Sequence, residues 1–148
     1  MSRLILLDSG PLGMATHLKA KDIPLTCQQW LESMLQRGER IAIPEIADYE
    51  VRRELIRANL LNSLRRLDSL KQTLEYIPIQ TETMLLAAKL WADIRKEGKP
   101  TADSKALDGD VILAAQARLL NNSTETIVAT TNLKHLNLLT NAAHWQSI

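Results

Sequence analysis

The chain has 148 residues, the length of one ordinary domain, and its 45% hydrophobic and 24% charged residues exclude an intrinsically disordered polymer. Eighteen Lys and Arg against 17 Asp and Glu leave a net charge of +1, so net charge gives no argument for nucleic acid. Any electropositive surface must come from local clustering. The single cysteine, Cys27, cannot close an internal disulfide and fits a reducing cytosol. Asp8 interrupts the N-terminal apolar run too early for a secretory leader, and no run approaches the ~20 apolar residues of a membrane span. One cytoplasmic domain over residues 1–148, with no membrane contact, is the expectation.

Leu4 to Leu7 is a short continuous apolar run, the pattern of a strand covered on both faces. Ser9-Gly10-Pro11 then reads as a turn into a helix, with proline tolerated in a first turn. A helix is predicted near Gln28 to Gln36, with Trp30, Leu31, Met34 and Leu35 on one stripe and Arg37-Gly38 ending it. Arg40 to Ile43 predicts a second strand closed by Pro44, followed by helices from Glu45 to about Ala58 and from Leu60 to Leu74. Tyr76 to Ile79 reads as a short extended piece, after which Thr81 can cap a helix to Lys96, stopped by Gly98-Lys99-Pro100. Thr101 to Gly109 is polar and reads as loop, and Asp110 to Leu120 as an apolar, alanine-rich helix. Thr126 to Ala129 supplies another strand, Thr130 to Asn132 its exit, and Leu133 to Leu139 a last helix. The tail from Ala142 predicts an edge strand around Trp145.

Strands alternating with helices predict an α/β fold with a mostly parallel sheet, whose ligands bind beyond the carboxyl ends of the strands. Asp8, the stretch from Pro44 to Glu50, and Thr130 to Asn132 all fall at such ends. Asp8 alone could simply cap the following helix. Glu50 could be one member of an ion-paired surface helix with Arg53, and Glu54 with Arg57 or Arg53. Glu45 competes with it, but five residues of helix turn the two about 140° apart, so at most one serves a given site. Asp110 is predicted at the head of a buried helix, where a carboxylate is costly unless the helix amides and a cation neutralise it. Asp108 is a turn or cap residue or an auxiliary ligand. Carboxylates gathered at one sheet edge repel each other, and oxygen-only ligands suit Mg²⁺ or Mn²⁺. No Cys pair, His-Glu-x-x-His or phosphate-binding glycine loop offers a competing chemistry.

These segments, in this order, resemble the PIN-domain family, and within it the VapC-like ribonucleases of prokaryotic toxin–antitoxin systems. LILLDSGPLG is similar to the family's opening strand with its first acid. IAIPEIADYEVRREL is similar to the strand and helix with the second, in a register that favours Glu50. GDVILAAQA resembles the segment with the third, at Asp110. IVATTNLKHLNLL resembles the closing strand and turn, with Thr130 and Asn132 at the mouth. The family's fourth acid is here Asn132, its opening run after Asp8 is here SGPLG, and Leu136 stands where a Phe is common.

The resemblance implies a three-layer α/β/α fold and cleavage of single-stranded RNA by metal-activated water. Asp8, Glu50 and Asp110 would be the catalytic ligands of Mg²⁺ or Mn²⁺, joined by Asp108 or Asn132, and Thr130, Asn132 and Lys134 would contact substrate. It also implies a homodimer and an antitoxin protein that covers the pocket. Arginines 52, 53, 57, 65 and 66 and lysines 96, 99, 105 and 134, with His135, could hold RNA phosphates, although most, Lys134 excepted, read better as solvated helix faces. Trp30, Trp91 and Trp145 could stack on bases, Trp30 and Trp91 reading better as core or dimer interface. The alternative function is a weakly active or inactive module of the same fold that binds RNA or a protein partner. A phosphoacceptor domain with Asp8 as nucleophile would need a strand-end lysine and an acid paired beside Asp8, and neither is in the sequence.

Overall fold

A computed structural model describes residues 3–97, 104–133 and 136–148. The first strand, β1 (Leu4–Leu7), is buried at all four positions. Side chains alternate across a strand, so Leu4 and Leu6 join one apolar cluster and Ile5 and Leu7 another. Both faces are covered because the crossovers between parallel strands are helical. On the Ile5/Leu7 face lie α1 (Ser9–Ala15), α2 (Asp22–Gln36), α3 (Glu45–Arg57) and α4 (Leu61–Thr73), contributing Leu12, Leu31, Met34, Val51 and Leu67. On the Leu4/Leu6 face lies α6 (Ser104–Asn121), through Leu113 and Ala117, with α5 (Thr81–Lys96) packed outside it through Ala87 and Leu90.

The sheet is five-stranded, in the order β3 (Glu75–Ile77), β2 (Arg40–Pro44), β1, β4 (Thr126–Thr130), β5 (Ala142–His144). Every pairing is parallel, with Leu6 opposite both Ala42 and Val128. The three-layer α/β/α architecture is thus as expected, and the sheet is wholly rather than mostly parallel. The chain leaves β1 toward β2 on one side and reaches β4 on the other, so the crevice at their carboxyl ends is the topological switch point. Asp8 stands there.

Several boundaries differ from expectation. Helix α2 begins at Asp22, six residues before Gln28, because Pro24 sits in its first turn, where no amide donor is required. Its Leu35 is exposed, whereas Leu31 and Met34 are buried. The cap of α5 is Gln80 rather than Thr81: Gln80 and Thr83 satisfy each other's backbone amides in a reciprocal capping box. Helix α6 already includes Ser104 to Gly109, expected as loop, while residues 98–103 lie outside the described residues. Leu107 explains this: buried beside Val111 and Ala114, it extends the apolar face at helical spacing by one turn. The last helix, α7, is described over Leu136–Leu139, residues 134 and 135 of the expected stretch lying outside the described residues. Trp145 lies not in the edge strand but in a closing 3-10 turn, Trp145–Ser147, its ring buried edge-on against Trp30 at 5.7 Å. Among the described residues no helix is long and apolar enough to cross a membrane.

Candidate active site

Asp8 follows β1 directly and caps α1, accepting from the Ser9 amide at 2.7 Å through Oδ1. Its other oxygen, Oδ2, accepts from the Thr130 hydroxyl at 2.7 Å. That hydroxyl oxygen in turn accepts from the Asn132 amide at 3.0 Å. Cap and site are therefore compatible roles for Asp8, since one oxygen serves each neighbour. Thr130 is fully buried. Its hydroxyl links Asp8 to the Asn132 amide, so it fixes one wall of the pocket. Asn132 is exposed just past β4, and Lys134 and His135 lie outside the described residues.

The two glutamates of α3 separate by direction. Glu45 accepts from the Ile79 amide at 2.6 Å and lies near Tyr76, tying α3 to the segment after β3. Glu50 turns the other way. Its carboxylate rests on the backbone of α6 at Gly109, where an added Cβ would stand 2.7 Å from Oε2. It is electrostatically coupled to Asp8 and Asp110. The arrangement brings together Asp8, Glu50 and Asp110 and leaves Glu45 outside.

Asp110 is not at the head of its helix, as expected, but in the interior of α6, because Leu107 draws the preceding turn into the helix. The free amides of the helix start are spent earlier, and the dipole gives Asp110 little help. Asp108 is exposed and lines a groove with Met84, Trp91 and Val111, between α5 and α6. Two residues of helix turn it about 200° from Asp110, so it is not brought to the carboxylates.

Each member of the trio is driven toward its protonated form. Burial pushes Asp8 up, against the hydrogen bonds from Thr130 and Ser9 that hold it down. Burial and then the Asp8 charge push Glu50 up to about 7, Arg53 opposing and Asp110 adding to the rise. Burial and the Asp8 charge push Asp110 up to about 6. Among the described residues none of the three is in an ion pair with Lys or Arg. Burial leads in all three, and the Asp8 charge adds to it at Glu50 and Asp110.

The donors are all oxygen, which fits Mg²⁺ or Mn²⁺ and neither zinc nor iron–sulfur chemistry. Among the described residues no three His, Cys, Asp or Glu side chains stand at the spacing of a ready-made metal cage. Mg²⁺ does not require one, since it keeps several waters and takes one or two carboxylates directly. The residues fit the ion in donor type, all three being carboxylates coupled through the Asp8 charge.

The arginines are mostly engaged within the fold. Arg52 bridges buried Asp48 (3.0 Å) and Asp68 (2.8 Å), Lys71 joins Asp48, and Arg57 pairs with Glu54. Arg66 donates to the Ala15 carbonyl and Arg65 to Asn62. Arg53 differs: its guanidinium lies 5.0 Å from the Tyr49 ring centroid and lines a groove of about 620 Å³ with Ser9, Gly10 and Glu50. The sequence alone hid this, because Arg53 reads there as one member of a basic run. It also hid Gln116, a buried amide that accepts from the Ile46 amide and donates to the Ile77 carbonyl, fastening α6 to α3 and β3.

The fold defined by this sheet order and helix placement is a PIN-like α/β fold. Three solved structures share it over almost their whole length. The VapBC2 complex from Rickettsia felis, bound to a DNA fragment from its promoter, matches with a TM-score of 0.73 and 18% identity, covering 96% of this chain and 98% of that one. VapBC-1 from nontypeable Haemophilus influenzae gives 0.65 and 16%, covering 97% and 98%. DNA-bound VapBC from Salmonella typhimurium gives 0.64 and 18%, covering 98% and 99%. No protein-family model matches the sequence, and neither does any curated protein.

Proposed function

We propose that the chain is a Mg²⁺- or Mn²⁺-dependent endoribonuclease acting on single-stranded RNA, the toxin of a toxin–antitoxin pair. The observation that carries this reading is the trio Asp8, Glu50 and Asp110. Three acids from three separate elements are each driven toward their protonated form, the Asp8 charge adding to burial at Glu50 and Asp110, and none has an ion-paired cation among the described residues. The VapC-like fold supports the toxin assignment.

Asp8, Glu50 and Asp110 would hold the ion. When bound, a divalent cation lowers the pKa of water and stabilises the leaving oxygen of a phosphodiester. The chain's own contribution is placement. Ser9 and Thr130 lock the Asp8 carboxylate, α3 carries Glu50 across to α6, and Asn132 offers a neutral oxygen at the rim. Arg53, which lines a groove with Glu50, would meet an RNA phosphate there.

Exposed apolar surface supports the expected partners. On α5, Met84, Leu85 and Trp91 are exposed beside the groove that Asp108 lines, the kind of helix face that a homodimer covers. Leu18 and Leu60, both exposed, line the apolar part of the groove that also holds Glu50 and Arg53, and would seat an antitoxin segment.

Cleavage of varied single-stranded RNAs with Mn²⁺ tests the reading, comparing the wild type with Asp8→Asn and Asp110→Asn. Loss of cleavage in both variants is expected, and cleavage retained in both would discard this site. The second reading, a weakly active module that binds RNA or protein, rests on Asn132 in place of an acid. It would be favoured by a wild type that binds RNA without cutting it.

A further inference from the structure

Gly109 occupies the interior of α6, where glycine weakens a helix relative to alanine. Close packing alone does not call for it. Where α6 meets the sheet and α5 it uses alanine, at Ala114, Ala115 and Ala117, each buried. Gly109 differs in what lies above it. A Cβ built there would stand 2.7 Å from Glu50 Oε2 and 3.4 Å from its Cδ, closer than the carboxylate can tolerate. Glu50 is the acid of α3 that turns toward Asp8 and Asp110, and Gly109 immediately precedes Asp110.

We infer that Gly109 is a positioning residue whose missing side chain is the seat that lets the Glu50 carboxylate lie against α6 beside Asp110. The inference rests on the reading that Asp8, Glu50 and Asp110 hold a divalent cation. It adds that the third motif's glycine belongs to the ligand machinery through Glu50 and not to the turn expected from the sequence. The atom displaced by a methyl group is the end of a flexible side chain, so the fold absorbs the substitution by moving Glu50 and leaves α6 in place. Alanine at 109 therefore yields a folded protein whose second acid has been pushed off the site.

The test is Mn²⁺ titration of the full chain by calorimetry, with folding checked by circular dichroism. In the wild-type background, Gly109→Ala is expected to weaken Mn²⁺ binding about tenfold, the usual cost of losing a group that orients a ligand. In a Glu50→Gln background the same substitution is expected to change affinity by less than about twofold, because an effect exerted through Glu50 cannot be lost twice. Equal binding by wild type and Gly109→Ala would overturn the inference while leaving the metal reading intact, and so would equal losses in both backgrounds. A wild type that binds no Mn²⁺ would overturn both. If Gly109→Ala unfolds the chain, Gly109→Ala with Glu50→Ala decides: recovered folding supports the contact, and failure to recover assigns Gly109 to helix packing and overturns the inference.

Discussion

Thr130 and Asp8 are 122 positions apart in sequence, yet the Thr130 hydroxyl donates to the Asp8 carboxylate over 2.7 Å. The bond exists because β1 and β4 are neighbours in parallel register, Leu7 opposite Ala129, so each strand's exit residue falls beside the other's. Replacing Thr130 by Val keeps the shape and removes the donor. A buried hydrogen bond to an ionised group contributes about 2 kcal/mol, so Thr130→Val should lower the melting temperature by ~5 °C. Thr130→Ser should recover most of that loss. Calorimetric melting of the two variants checks it, and a Val variant as stable as wild type would show that Asp8 is held by Ser9 alone.

The metal-free protein should lose stability as pH rises. Glu50 moves from an ordinary 4.5 up to about 7, and Asp110 from 3.8 up to about 6. Between about pH 4 and pH 7 the folded state then holds more protons than the unfolded chain, so each increment of pH favours unfolding. The penalty is absent below this window and fully present above it. Glu50→Gln removes its share, and should therefore stabilise the apo protein by about 1–3 kcal/mol more at pH 8 than at pH 4. Urea unfolding in EDTA at both pH values measures the difference. An identical effect of the substitution at both would contradict the raised proton affinity of the half-buried Glu50.

Gly10 makes a second close approach at the same crevice. A Cβ there would meet Thr131 at 2.5 Å from Oγ1 and 2.8 Å from Cγ2. The glycine lets the first turn of α1 close onto the residue that follows β4, next to the Thr130–Asp8 bond. Gly10→Ala should cost about 1–2 kcal/mol through overpacking. Adding Thr131→Ala, which removes both contacting atoms, should restore at least half of it. Thermal melts of the single and double variants decide, and purely additive losses would rule out the contact.

Cys27 should be chemically silent. It is 1% exposed, and burial pushes its thiol up to about 12. The reactive thiolate is accordingly scarce at neutral pH. A thiol-specific chromogenic disulfide at pH 8 should leave the native protein unlabelled and modify one thiol per chain in guanidinium chloride. Rapid labelling of the native protein would show that α2 opens readily from the core.

Much of this was legible in the sequence because it depends on local order. The run Leu4 to Leu7 announces a strand covered on both faces, the period of Leu64, Leu67 and Leu70 announces α4, and alternating strands and helices announce the parallel sheet. Ser104 to Gly109 was not legible, since its polar composition suits a loop. It becomes helix because Leu107 finds an apolar pocket against Ala87 and Leu90 of α5, a partner remote in sequence. Trp145 was misplaced for the same kind of reason: the residue that fixes it is Trp30.

For the site, the sequence by itself determined which acids were available and that Asp8 would stand at a strand exit. It could not separate Glu45 from Glu50 on chemistry alone, because both are acids on one helix. Tertiary structure separated them by giving Glu45 the Ile79 amide and Glu50 the bare backbone of Gly109. It also turned Thr130 from a rim residue into the buried anchor of Asp8. Hydrophobic periodicity is written along a chain, whereas the partner of a buried polar group is chosen only when distant segments are packed against each other.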